Sequence, residues 1–276
     1  MTTSSPQVPF MQLPTIAFLL AIASGMLDGY AFFTTKSFAT FQSGNIIMLG
    51  YQFAENGLTA VTPYVISIFS FGAGAMLLAL IRYRYNTDEK TWTFTLLSLE
   101  IALLLLLIAY IFLFNIQSKG FHAVWALSFI AGMQGNAFHK INGMLYGNIA
   151  VTLNVQLGFS SLAESIAFKG KARKNALYKS YCYFLTLLGF AGGAFLMVLL
   201  ADYAREYALF ATLIPLCLIF FSGRQFSKEN KQLPIDSDWC GWKRRGKSRL
   251  LKCYYKSCWW LRASTVFLAP LSRSER

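Results

Sequence analysis

The chain has 276 residues, of which 55% are hydrophobic and only 13% charged, with a mean hydropathy of +0.46. A soluble domain of this length would carry about a quarter charged residues to cover its surface, so a water-soluble globule is excluded. The formal charge of +13 sits in a few loops and in the chain end, with ten of the 25 Lys and Arg after Leu233. That distribution suits loops facing anionic lipid and argues against a nucleic-acid surface. Cys182 and Cys217 fall in apolar runs, and Cys240, Cys253 and Cys258 follow no zinc spacing, so neither a disulfide framework nor a metal site is expected.

The first ten residues, MTTSSPQVPF, contain no Lys or Arg. A cleavable signal peptide needs a positive start and a small-residue cleavage site, so the first apolar run is read as a retained helix with Pro14 in its first turn. Apolar runs long enough to cross about 30 Å of hydrocarbon are expected at about 14–34, 63–81, 92–114, 121–142, 178–200 and 206–223. Two further stretches, about 43–56 and 146–168, are helical in pattern but polar in part, with Ser43, Asn45 and Gln52 in one and Asn148, Thr152, Asn154, Gln156 and Glu164 in the other. Backbone at membrane depth must satisfy its own hydrogen bonds or be shielded by protein, so these two segments are expected to be amphipathic or re-entrant.

The basic residues test the count of spans. With six spans and both ends on one side, that side receives Arg82, Arg84, Lys90, Lys140, Lys169, Lys171, Arg173, Lys174, Lys179, Arg224, Lys228 and Lys231, and the other only Lys36, Lys119 and Arg205. Eight spans would spread the charges more evenly. Both termini are therefore expected in the cytoplasm.

The two halves resemble each other. Gly25-Met26-Leu27 with Gly29-Tyr30-Ala31-Phe32 aligns with Gly132-Met133-Gln134 and Gly135-Asn136-Ala137-Phe138; Gly44-Asn45 aligns with Gly147-Asn148; and Phe71-Gly72-Ala73-Gly74 aligns with Phe190-Ala191-Gly192-Gly193. Three spans per half place the second half upside down relative to the first, a plan common among secondary transporters, whose sites lie at the repeat interface. The expected architecture is an all-α integral membrane protein. Residues 1–13 form a cytoplasmic segment, 14–120 and 121–230 two inverted three-helix repeats each with a Gly-Asn segment, and 231–276 a basic tail.

Several residues stand out chemically. Asp28 lies within the first span, and a carboxylate there is costly enough to suggest a role; binding of a proton or cation is one reading, neutralisation by Lys36 the other. The Gly44-Asn45 and Gly147-Asn148 steps are read either as broken-helix starts whose N–H groups hold an anion or polar solute or as plain helix caps. With Gln134 and Asn136 they make up the candidate substrate path. Gly25, Gly29, Gly72, Gly74, Gly189 and Gly193 fit close helix packing. Glu100 and Glu164 are weaker candidates, and His122 and His139 lie too far apart on one helix to share a metal.

Residues 241–248, Gly-Trp-Lys-Arg-Arg-Gly-Lys-Ser, match the P-loop expression, but no strand precedes them and no acid follows until Glu275. The context a phosphate loop needs is missing. The tail also holds four of the six Trp; it reads either as a basic membrane-surface patch or as the product of a shifted frame. No HExxH, GxSxG or triad is present, so no enzyme and no cofactor are expected.

The body, about residues 14–230, resembles the YoaK-like family of bacterial multi-pass membrane proteins of unknown function. The resemblance rests on Gly25, Asp28, Tyr30, Phe32, Phe38 and Gly44-Asn45, and on Gly132-Met133-Gln134, Asn136-Ala137 and Gly147-Asn148. It implies a six-span body in the bacterial cytoplasmic membrane. Ser43 and Tyr146 stand where the family usually has Thr, and Gly135 interrupts a Gln-Asn pair. The expected function is that of a small-solute transporter or channel, with the bilayer and a polar or ionic solute as its partners; the alternative is a non-transporting membrane scaffold or regulatory partner.

Overall fold

The computed structural model describes residues 10–84, 89–114, 120–138, 140–141, 144–147, 149 and 151–229. The chain divides into two units, Met1–Pro234 and Ile235–Arg276, and every described residue belongs to the first. Cys240, Cys253, Cys258 and the 241–248 motif lie outside the described residues.

Helix α1 (Pro14–Thr35) starts with proline, whose missing N–H is one of those a helix leaves unpaired anyway. It ends at Lys36, which takes a left-handed conformation (φ 57°) and returns its N–H to the Phe32 carbonyl. An αL residue closing the last turn is a common helix stop. A short loop leads to α2 (Gln42–Asn56). Gly57 (φ 77°) then turns the chain through a single 3-10 turn into α3 (Thr62–Arg84), which is followed by α4 (Glu89–Leu113).

The second half repeats the order. Helix α5 (Phe121–Ala137) is followed by a two-stranded hairpin, β1 (Lys140–Ile141) with β2 (Met144–Leu145), and then α6 (Thr152–Ala167), α7 (Gly170–Ala204) and α8 (Phe210–Glu229). The hairpin is antiparallel, with Lys140 opposite Leu145 and Ile141 opposite Met144.

Among the described residues, four stretches are long and apolar enough to cross a membrane: Pro14–Thr35, Leu58–Arg84, Trp92–Leu113 and Gly170–Gln225. The last, at 56 residues, contains α7 and most of α8. With these helices the protein is an all-α membrane protein. Helix α5 has 17 residues, about 25 Å at 1.5 Å per residue. It stops five residues short of the expected span 121–142. The chain leaves the helix at Phe138, whose backbone is extended (φ −121°, ψ 91°), and enters the first strand at Lys140.

Two seams organise the bundle. At the first, α1 lies parallel to α7: Gly189 faces Phe18, Gly193 faces the Ile22 carbonyl, Gly25 the Phe190 carbonyl and Gly29 the Ala194 carbonyl. At the second, α3 lies parallel to α5: Gly132 faces the Phe71 carbonyl, Gly74 the Phe129 carbonyl, Ser67 bonds Ser128 at 2.6 Å, and Asn136 donates to the Ala75 carbonyl at 2.8 Å. A Cβ on Gly25, Gly74, Gly132 or Gly193 would collide with backbone across its seam. The two seams are chemically matched, since Gly25 and Gly132 each meet the carbonyl of a phenylalanine, and Gly193 and Gly74 return the contact.

Helices α4 and α8 run antiparallel, with Phe94 edge-on to Phe220 (5.7 Å) and Phe112 against Phe210 (6.1 Å) and Tyr207 (4.7 Å). The core runs through α1, α4 and α5, where Leu20, Leu27, Leu97, Leu104 and Leu127 are fully enclosed. Lipid-sized apolar surface remains outside, for instance Phe69, Met76, Leu106, Leu188 and Phe195.

Candidate functional site

The buried polar residues converge on α1 and on the loop that follows it. Asp28 is 5% exposed. The loop 36–41 folds back over the end of α1, so that Thr40 reaches the carboxyl twice: its backbone N–H lies 2.6 Å from Oδ1 and its hydroxyl 2.6 Å from Oδ2. The same hydroxyl stands 3.2 Å from the carbonyl oxygen of Ile149, in the segment between α5 and α6. Lys36, one expected partner of Asp28, instead stands over the Phe32 ring, 5.2 Å from its centroid. The carboxyl is therefore held by neutral donors.

One turn earlier on α1, Ser24 bonds the Leu20 carbonyl at 3.0 Å and the side-chain oxygen of Gln134 at 3.3 Å. The Gln134 Nε2 is buried without a partner. A buried amide donor left open is unusual and expensive, and it leaves the α1–α5 contact able to offer two N–H groups to an acceptor. Asp28 and Gln134 thus set an acceptor and an open donor at neighbouring levels of the bundle centre.

Asn45 does something different from what the sequence suggests. It is wholly buried in the first turn of α2, and its amide brackets one residue of the loop, accepting from the Phe38 N–H (2.8 Å) and donating to the Phe38 carbonyl (2.7 Å). It also donates to Ser67 at 3.2 Å, and Ser67 bonds Ser128. Asn45 therefore satisfies the Phe38 N–H, which would otherwise be orphaned, and shares the Phe38 carbonyl with Ser67, which donates to it at 3.0 Å. Gly44 has an ordinary helical backbone. A Cβ there would meet the Phe41 ring at 2.5 Å and the Phe38 ring at 2.7 Å, so the glycine makes room for two rings that pack edge to face at 5.3 Å. Neither residue presents an anion site.

The second half contains the same bracket at another place. Asn154 accepts from the Gly147 N–H (2.8 Å), donates to the Gly147 carbonyl (2.7 Å) and donates to Thr186 at 2.9 Å. Each Asn lies seven residues after the residue it clasps. In its hydrogen bonds the match of Asn45 is thus Asn154, in α6. Gly147 is the clasped residue, while Asn148 lies outside the described residues, as does His139.

The other candidates divide cleanly. Gly25, Gly29, Gly74, Gly189 and Gly193 sit in the seams, whereas a Cβ on Gly72 would meet nothing within 4 Å; close packing is not the reason for that glycine. Asn136 is committed to Ala75 across the second seam. Glu100, in α4, is 2% exposed, and both its carboxyl oxygens lack a partner. Glu164 is exposed on α6. His122 packs edge-on to Trp125 at 4.8 Å. Among the described residues, no three His, Cys, Asp or Glu come together as metal ligands.

Sequence reasoning missed Thr40, Ser24, Ser67, Thr186, Ile149 and the role of Asn154. Single hydroxyls in apolar segments carry no pattern, and the clasped residues Phe38 and Gly147 have no chemistry in common. The equal seven-residue separations were the one available signal.

A model of a family described as a protein of unknown function, DUF1275, matches residues 16–222. No curated protein and no solved structure matches the chain.

Proposed function

The chain belongs to that family of unknown function, and from this premise we propose that it is a small-solute transporter or channel built as six membrane spans in two inverted repeats. The spans are α1, α3, α4, α5, α7 and α8, with α2 and α6 as re-entrant or interfacial segments. The observation that carries the reading is the reciprocal packing. The first span of each half lies parallel to the second span of the other, with glycines meeting carbonyls at matching places, and both halves clasp a loop residue with an Asn and a hydroxyl. The direction of α4 against α8 supports the count of six. With six crossings these two helices are the third and sixth and run oppositely, as their ring contacts require; with eight they would run the same way.

In this reading the solute path follows the α1–α5 contact, where Asp28 and Gln134 supply an acceptor and an open donor. Repeat interfaces are where such sites lie in inverted-repeat transporters. No catalytic step is involved. The YoaK-like identity, the bacterial cytoplasmic membrane and cytoplasmic termini belong to the same proposal, supported by the clustering of basic residues at one end of the spans. A second reading, a non-transporting scaffold, draws on the burial of Asp28, Asn45 and Gln134, which closes the polar groups off from water.

Single cysteines at Ile47 in α2 and Phe159 in α6, both exposed, test the architecture in a background without the native thiols. A membrane-impermeant reagent should label the first from one side and the second from the other. Labelling of both from one side sinks the inverted arrangement. Uptake or leak of a panel of small polar solutes by proteoliposomes, lost in Gln134→Leu, tests transport; flux equal to that of empty liposomes across the panel favours the scaffold.

A further inference from the structure

Three oxygens meet where the α1–α2 loop touches the segment before α6: Asp28 Oδ2, Thr40 Oγ1 at 2.6 Å from it, and the Ile149 carbonyl at 3.2 Å from the hydroxyl. A threonine hydroxyl has one proton to donate. When Asp28 is ionised both neighbours of the hydroxyl are pure acceptors, and one of the two contacts contains no hydrogen. A single proton on Asp28 completes the chain. Oδ2–H then donates to Thr40 Oγ1, and Thr40 O–H donates to Ile149. The Thr40 backbone N–H holds Oδ1 at 2.6 Å, and the N–H groups of Ala39 and Phe41 face the same carboxyl, so the group keeps its place in either form.

We propose that Asp28 is a proton-binding site whose occupancy decides whether the first half is hydrogen-bonded to the second through Thr40 and Ile149. When the proton leaves Oδ2 for water or solute, the Thr40 hydroxyl rotates to the carboxylate and the Ile149 carbonyl loses its donor. No other bond changes. The half-buried carbonyl then favours rehydration, and the junction loosens. The spacing favours a proton over a metal cation. Two oxygens 2.6 Å apart are closer than the roughly 2.9 Å edge of a Mg²⁺ octahedron with bonds of about 2.05 Å, and larger ions spread their ligands further.

The surroundings keep other charges out of the exchange. No charged side chain among the described residues acts on Asp28. Beside it, Gly29 contacts Ala194 and Met197 of α7, and α5 brings the neutral Gln134 to Ser24. Of the titratable neighbours on α1, Tyr30 has Glu206 as its charged companion and Lys36 lies over Phe32. On the packed elements, none of His122, Asp202, Cys217 and Arg224 is among the groups that act on Asp28. Among the described residues the second half has no counterpart switch, because Gly135 stands against Ile149 there.

The proposal rests on the transport reading for its consequence, a proton-driven cycle, but proton binding is measured without any solute. Difference infrared spectroscopy of the full chain in lipid, titrated with pH, should show a protonated carboxyl band that fades as pH rises. The band should be absent in Asp28→Asn, displaced in Thr40→Val, restored by Thr40→Ser and untouched by Glu100→Gln. A pH-difference spectrum left unchanged by Asp28→Asn, or an Asp28 signal that is ionised throughout, overturns the proposal. So does a carboxylate signal that moves with Na⁺ at fixed pH, which would make the site a metal-cation site. A titrating Asp28 in liposomes without proton-dependent uptake leaves the site standing and removes the transport reading; uptake with no Asp28 titration does the reverse.

Discussion

The loops after α1 and after α5 share a frame and differ in chemistry. Both are clasped by an asparagine that bonds the N–H and carbonyl of one loop residue and then a hydroxyl on the next long helix, Asn45 with Ser67 and Asn154 with Thr186. Both are approached by the helix before them. In the first loop that approach is Asp28 to Thr40; in the second it is Gly135 to the Ile149 side chain. One half carries an ionisable group and the other an apolar plug, and the two meet through Thr40 and Ile149. The comparison separates what the repeat needs in order to fold, which is symmetric, from what the site needs to work, which is not.

The largest effects should come from the frame. Gly25→Ala and Gly132→Ala each drive a methyl group into backbone across a seam, and should cost about 3 kcal/mol or more, since backbone gives way less than side chains. Thermal unfolding in detergent checks this, and a loss at only one seam would break the symmetry argument. Asn45→Ala and Asn154→Ala should come next. Each removes the partner of a half-buried loop N–H, for about 2 kcal/mol, and the Asn154 loss should be the larger, because Ser67 still donates to the Phe38 carbonyl at 3.0 Å.

The asymmetric part calls for a smaller and more pointed test. Gly135→Asp alone buries a carboxyl against Ile149 and should destabilise by about 2 kcal/mol, while Gly135→Asp with Ile149→Thr rebuilds the polar pair and should recover about 1 kcal/mol. A strictly additive double variant would mean that the two loops are not equivalent. The smallest effects belong to positions outside the comparison. Gly72→Ala meets open space and should be neutral or stabilising by up to about 1 kcal/mol through helix propensity. Glu100→Gln should change stability by less than about 1 kcal/mol, because an acid with no partner is most cheaply kept neutral, like glutamine.

Much of the helical order was legible. Runs such as 92–114 and 63–81 are apolar over the length of a bilayer crossing, and α4 (Glu89–Leu113) and α3 (Thr62–Arg84) follow them closely. Helix ends were harder. The run 178–200 lies inside an α7 that begins at Gly170, because hydropathy does not register the Lys- and Arg-bearing turns that extend a helix into water. The 121–142 run overshot α5, since Phe138 and Ile141 are as apolar as helix residues.

Asp28 was conspicuous in the sequence because a carboxylate among apolar residues needs a reason, and composition along one helix is enough to reveal that. The seam glycines were visible for a similar reason, as small residues at helical spacing. What answers Asp28 was not visible. Thr40 reaches it from the following loop, Ile149 meets Thr40 and Gln134 meets its neighbour Ser24 from the other half of the chain, and a hydroxyl or a carbonyl has no signature until folding brings it within bonding distance. Apolar length determined which helices can cross a membrane, because that is a property of each segment alone. Partnership is a property of pairs of segments, so only the tertiary structure decided that Asn154 clasps Gly147 as Asn45 clasps Phe38.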